Sequence, residues 1–155
     1  MAITKVTGGL LGNYPVGTSN VVIGDTAFDS VTTASNNTIM GNAAGTAITT
    51  SNFNTAIGSG ALTAQVTGGR NVAIGYAALD ADTGGGRSTA VGWGSLGSQN
   101  FTSGLTGNTA VGYSNSSSTN TTGTNNTSVG YGSLEANTTG AQNVSVGFEA
   151  LKQNT

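Results

Sequence analysis

Residues 71–79 read Asn71-Val72-Ala73-Ile74-Gly75-Tyr76-Ala77-Ala78-Leu79, and this pattern returns along most of the chain. The copies are NVVIGDTAF (20–28), NTIMGNAAG (37–45), NTAIGSGAL (54–62), NVAIGYAAL (71–79), STAVGWGSL (88–96), NTAVGYSNS (108–116), NTSVGYGSL (126–134) and NVSVGFEAL (143–151). Their shared glycines, Gly24, Gly41, Gly58, Gly75, Gly92, Gly112, Gly130 and Gly147, are 17, 17, 17, 17, 20, 18 and 17 residues apart. A near-constant period over this much of the chain signals a stacked array of like units.

Within a unit, the run from Asn to Gly alternates large and small side chains, the period of a strand. The glycine that ends it permits a turn or a close neighbour. A short segment follows, closing in Ala-Leu or Ser-Leu in most copies and read as a weaker second strand. Linkers rich in Thr, Gly and Asn join the units and supply turns. No copy carries a helical stripe. The spacing therefore predicts an all-β parallel β-solenoid or β-roll of about eight 17-residue coils, with equivalent residues stacked ~4.8 Å apart. The longer spacings fall in 97–107 and 113–125, outside the strand motif, where an array tolerates insertion.

In-register stacking predicts columns. The large aliphatic column Ile23, Met40, Ile57, Ile74, Val91, Val111, Val129 and Val146 is assigned to the interior. So is Phe28, Leu62, Leu79, Leu96, Leu134 and Leu151, a column broken at Gly45 and Ser116. The small column Val22, Ile39, Ala56, Ala73, Ala90, Ala110, Ser128 and Ser145 lies on the opposite strand face and is assigned outside. A coil burying only about two large side chains is slender, so a partner surface is expected. The small residues Ala56, Ala73, Ala90, Ala110, Ser128 and Ser145 are the expected interface of a homotrimer packed around one axis.

Composition narrows the function classes. The chain has 155 residues, 26 of them glycine, and only 6% are charged. A net charge of −2, with Lys5, Arg70, Arg87 and Lys152 as the four cations, does not suit nucleic acid, which needs several basic side chains on one face. No apolar run reaches the ~20 residues of a membrane span, so no membrane insertion is expected. With no His and no Cys, a serine or threonine nucleophile lacks its usual base and a transition metal its usual ligands. No enzyme activity, cofactor or metal is expected. Asp80 and Asp82 resemble part of a calcium loop, weighed against a solvated turn. Gly84–Gly86 lacks the strand, helix and lysine of a phosphate loop. Arg70 and Arg87 share a register one coil apart, read as solvated or paired with Asp80 and Asp82.

Tyr76, Trp93, Tyr113, Tyr131 and Phe148 share one position after the motif glycine. They are read as a ladder packing coil on coil or chain on chain, or as a sugar-stacking stripe for host glycan. The asparagines that open the units are expected to form an amide ladder. Residues 1–19 do not fit the unit and are read as an N-terminal cap or anchoring segment, ahead of a β-roll array over 20–155.

The unit N-[TV]-[AS]-[IV]-G-[YWF]-x-[AS]-L, joined by T-G-x-x-N, resembles the head repeats of trimeric autotransporter adhesins. Over about residues 20–155 it resembles still more closely the N-T-A-I-G-Y-x-A-L repeats of phage and virus fibre proteins. The resemblance implies a trimeric parallel β-roll built as a virion or cell-surface appendage, with Asn54, Ala56, Ile57 and Gly58 at motif positions. Adhesins of that kind carry a secretion signal and a membrane anchor, neither visible here. The expectation is therefore a virion-surface fibre, knob or capsid-decoration protein. Its partners would be itself, other virion proteins through residues 1–19, and host-surface glycan. A bacterial cell-surface adhesin passenger is the alternative. An ice-binding β-solenoid is a further one, since Thr38 and Thr55 stack, although Val21, Val72 and Val144 interrupt that column.

Overall fold

A computed structural model describes residues 17–115 and 122–153. Eight three-residue strands stand one per unit: β1 (Val21–Ile23), β2 (Thr38–Met40), β3 (Thr55–Ile57), β4 (Val72–Ile74), β5 (Thr89–Val91), β6 (Thr109–Val111), β7 (Thr127–Val129) and β8 (Val144–Val146). They form one parallel sheet in sequence order, β1 through β8. Each pairing is in motif register, as in Ala73 opposite Ala90 and Ile74 opposite Val91. Eight strands climb through about seven turns of a solenoid. The three-residue insertion leaves the pairing of β5 with β6 undisturbed, Val91 lying opposite Val111. Among the described residues there is no helix. The cap or anchor expected over 1–19 lies, apart from its last three residues, outside the described residues.

The second, weaker strand does not form. After each motif glycine the chain makes turns with repeated left-handed residues, such as Ala77 (φ 50°) and Leu79 (φ 53°). Extended geometry is lost, yet bonding between coils continues: Leu79 N–H donates to the Ser95 carbonyl at 2.9 Å and Leu62 N–H to the Ala78 carbonyl at 3.0 Å. A turning backbone can stack in register as a strand does, because identical conformations repeat at identical heights.

The sheet's two faces are the reverse of the expectation. The middle residue of every strand is buried, and Ala56, Ala73, Ala90 and Ala110 have no accessible surface at all. Ser128 and Ser145 are also buried. The small column thus faces the interior and has no surface left to offer another chain. The large column faces out: Ile23, Ile74, Val111, Val129 and Val146 are exposed and Met40, Ile57 and Val91 half-buried. The width of the coil is the reason. Phe28, Leu62, Leu79, Leu96 and Leu134 are inside as expected, and opposite the four leucines the 17-residue coil seats only alanine or serine, while the first coil seats Val22 with Phe28.

Local exchanges of volume support this reading. In the second copy Gly45 stands in the leucine column while Ile39 stands in the small column, and Ile48 is also buried. A Cβ on Gly45 would lie 2.9 Å from Ile48 Cδ1 and 3.3 Å from Ile39 Cδ1, so these two side chains fill the leucine's place. Where serine replaces alanine the hydroxyl is bonded. Ser145 Oγ donates to the Ala150 carbonyl at 2.8 Å, and Ser95 Oγ to the Ala110 carbonyl at 3.0 Å. Leu151, in the last coil, is exposed. Ser116, the other break in the column, lies outside the described residues.

The amide ladder forms where the sequence places it. Asn54 N–H donates to Asn37 Oδ1 (2.8 Å), Asn71 N–H to Asn54 Oδ1 (3.0 Å) and Ser88 N–H to Asn71 Oδ1 (2.9 Å). Copy five has Ser88 in place of the amide, and here the interior turns polar. Asp82 is buried and accepts from Gly85 N–H, Phe101 N–H and Gln99 Nε2 at 3.1, 2.9 and 2.8 Å. Gln99 also donates to Ser88 Oγ at 3.2 Å and accepts from Asn108 Nδ2 at 2.8 Å. The network rejoins the asparagine row across the gap left by the serine.

Candidate functional site

With the interior filled, chemistry has to be sought outside, and the candidate is the outer sheet face with its two borders. The face carries two parallel columns. One is Ile23 through Val146. The other is Val21, Thr38, Thr55, Val72, Thr89, Thr109, Thr127 and Val144. Both point outward because the residue between them points in. No side chain in either column is charged, and they run the length of the sheet. Uncharged and not covered by the rest of the described chain, this face is the candidate interaction surface.

The border after the strands holds the aromatics. Ring centroids of Tyr76 and Trp93 are 5.8 Å apart, of Trp93 and Tyr113 4.8 Å, of Tyr113 and Tyr131 5.4 Å, and of Tyr131 and Phe148 5.2 Å. Interplanar angles between 4° and 14° make this one face-to-face pile. The sequence expectation of a ladder packing coil on coil describes it. For the sugar-stacking alternative the geometry matters: a sugar stacks on a ring face, and both faces of Trp93, Tyr113 and Tyr131 are covered by neighbouring rings. Those three rings show their edges outward, whereas Tyr76 and Phe148, at the two ends of the pile, each have a ring on one face only.

The border before the strands is a row of left-handed residues: Asn36, Phe53, Arg70, Arg87, Gly107, Asn125 and Gln142, with φ between 56° and 65°. Arg70 Cζ sits 5.3 Å from the centroid of the Phe53 ring, a cation held against an aromatic face. Neither arginine pairs with Asp80 or Asp82. Among the described residues the ion pairs are those of Lys152 with Glu149 (2.6 Å) and Glu135 (3.4 Å).

Asp80 and Asp82 do not form a cation loop with a third ligand, and no cluster of three potential metal ligands occurs among the described residues. Asp82 is not a solvated turn residue either, since it is buried in the Gln99 network. That role was missed, although the signal was present: Gln65, Asp82 and Gln99 are spaced 17 and 17 apart and so form an interior column of their own.

Asp80 is partly buried, and desolvation raises its pKa above the ordinary 3.8, against the opposing hydrogen bonds from its own backbone and from Ala81 N–H. The folded chain therefore holds the Asp80 proton more tightly than the unfolded chain does. Its ionisation costs stability, a cost absent below 3.8 and developed as pH rises through the folded value. Asp80→Asn is expected to raise the melting temperature at pH 7 and to lose that advantage in acid. Thermal melts followed by circular dichroism at both pH values check this, and an equal gain at both would contradict it.

Comparison with protein-family models, with curated proteins and with solved structures finds no match for this chain, so a functional reading stands on the repeat motif and on these surfaces.

Proposed function

We propose that this chain is a non-enzymatic structural protein that assembles as a homotrimer through its outer sheet face, as a fibre, knob or decoration on a virion surface. The observation that carries the assembly is the uncharged Ile/Val/Met and Thr/Val face, which is exposed or half-buried along all eight strands. Three copies related by an axis parallel to the solenoid bring these columns together at equal heights, and the shared period keeps every coil in step. The interface is thus moved from the small column, which is consumed inside, to the large column on the other side of the same strands. The virion setting rests on the resemblance of the repeat unit to fibre repeats.

Light scattering after size-exclusion chromatography tests the assembly. The wild-type chain of 15.1 kDa is expected to elute at three times that mass. Ile74→Asp combined with Val129→Asp is expected to give a monomer with an unchanged circular dichroism spectrum, since both side chains are exposed, lie outside the coil's own core and stand three strands apart. A monodisperse wild-type monomer would overturn the proposal.

The same face favours one second reading. Thr38 and Thr55, and Thr89, Thr109 and Thr127, stand in register beside Met40, Ile57, Val91, Val111 and Val129 on an uncharged surface, as an ice-ordering surface requires. Thermal hysteresis in a freezing assay, abolished by Thr109→Lys, would support that reading. Its absence, together with a trimeric mass, supports assembly.

A further inference from the structure

We infer that Arg70 and Arg87 form an anion-binding site for the sulfate or carboxylate groups of an acidic polysaccharide. The two residues launch from equivalent backbone. Their φ angles are 63° and 65°, and their N–H groups donate to Asn52 and Gly69 carbonyls, each at 3.1 Å. Two Cα–Cβ bonds with the same orientation, one coil or ~4.8 Å apart, put two guanidinium groups within reach of one oxyanion. Both side chains are exposed. Arg70 is steadied by the Phe53 ring, so less of its freedom is lost on binding.

The fold does not call for arginine here. Other coils place Asn, Phe, Gly and Gln at this position with the same turn, and glycine would adopt it with less strain. Like charges in neighbouring in-register coils repel, and no carboxylate among the described residues pairs with either one. A bridging sulfate ester or carboxylate, one negative charge shared over two or three oxygens, offers each guanidinium a charge-assisted hydrogen bond and offsets that repulsion. Two charges in a chain of net charge −2 are too few for a nucleic acid backbone. They are also too few for a lipid surface, which takes clusters of 4–8 basic residues. A sugar polymer carrying spaced sulfates or carboxylates can meet the pair once per copy, and polar Asn36, Asn125 and Gln142 continue along the same border.

The experiment measures binding of the full-length protein, in its native assembly, to heparin as a sulfated probe, to neutral dextran and to inorganic sulfate, by titration calorimetry at fixed ionic strength. Heparin is expected to bind and dextran not to bind. Arg70→Gln with Arg87→Gln is expected to weaken heparin binding by at least roughly ten-fold, the worth of one charge-assisted contact or more. Each single variant is expected to lose part of the affinity, and Lys152→Gln to retain it. Circular dichroism confirms that each variant is folded. Equal heparin affinity for wild type and the double variant would overturn the site, as would an equal loss in Lys152→Gln, which would show charge attraction without a site. Free sulfate binding as tightly as heparin would overturn the polysaccharide assignment and leave a small-anion site.

Discussion

Gly75→Ala is expected to unfold the array, while the same change at Gly147 is expected to leave it folded with a lowered melting temperature. Gly75 has φ 136°, a region that side-chain-bearing residues avoid, and Gly147 has φ 134°. Backbone strain is therefore common to both variants, about 1–3 kcal/mol. The surroundings differ. A Cβ on Gly75 would be driven into the backbone carbonyl of Gly92 in the next coil, well inside van der Waals contact. On Gly147 the nearest atom would be Ala150 Cβ at 3.7 Å. Carbonyl and Cβ cannot both stay in register, so relief at Gly75 requires two coils to separate. Overpacking of that kind adds about 1–3 kcal/mol, and parting two coils removes their mutual interface, on which an array depends. Thermal denaturation of the two variants checks the claim. Equal losses would show that the stacked glycines answer to local conformation alone.

The second large effect is expected at Asn71, a fully buried side chain. Its Oδ1 accepts Ser88 N–H at 2.9 Å, and its Nδ2 donates to the Gly85 carbonyl at 3.0 Å and to Gln65 Oε1 at 3.3 Å. Each partner lies on another segment of the coil stack, so one amide ties together the strand start, the preceding linker and the next coil. Asn71→Ala leaves Ser88 N–H and the Gly85 carbonyl buried without that partner. At about 1–3 kcal/mol for each orphaned group, the loss is expected to be roughly 2–6 kcal/mol. Asn143→Ala is the comparison, since Asn143 stands in the last coil and is only half-buried. It is expected to cost much less. Urea unfolding midpoints of the two variants measure the difference, and a mild effect at Asn71 would mean that water replaces the amide inside the coil.

These two positions also show what kind of information the chain carries in one dimension. The glycine and the asparagine do their work between identical neighbours one period away, so their roles follow from the period itself. Gln99 is harder to read, because it lies within the longest spacing between units, where the motif gives no register. Its bond to Asp82 nevertheless falls 17 residues back, which shows that the interior column resumes inside the insertion. The aromatics fall between these cases. Their common motif position made stacking legible, but only the near-parallel rings show that the faces of Trp93, Tyr113 and Tyr131 are turned on their neighbours.

The sequence by itself determined a parallel, in-register solenoid, because a repeat with an obligatory glycine and a buried amide can satisfy both only by stacking like on like. It also determined that the strand has two unlike faces. Which of them is inside was decided by the tertiary structure alone. Alternation separates large from small side chains without saying how wide the enclosed space is. That space is filled from the other side by the leucine limb with its left-handed turns, so opposite a leucine the strand turns alanine or serine inward and isoleucine or valine outward. The candidate interface moved with that choice.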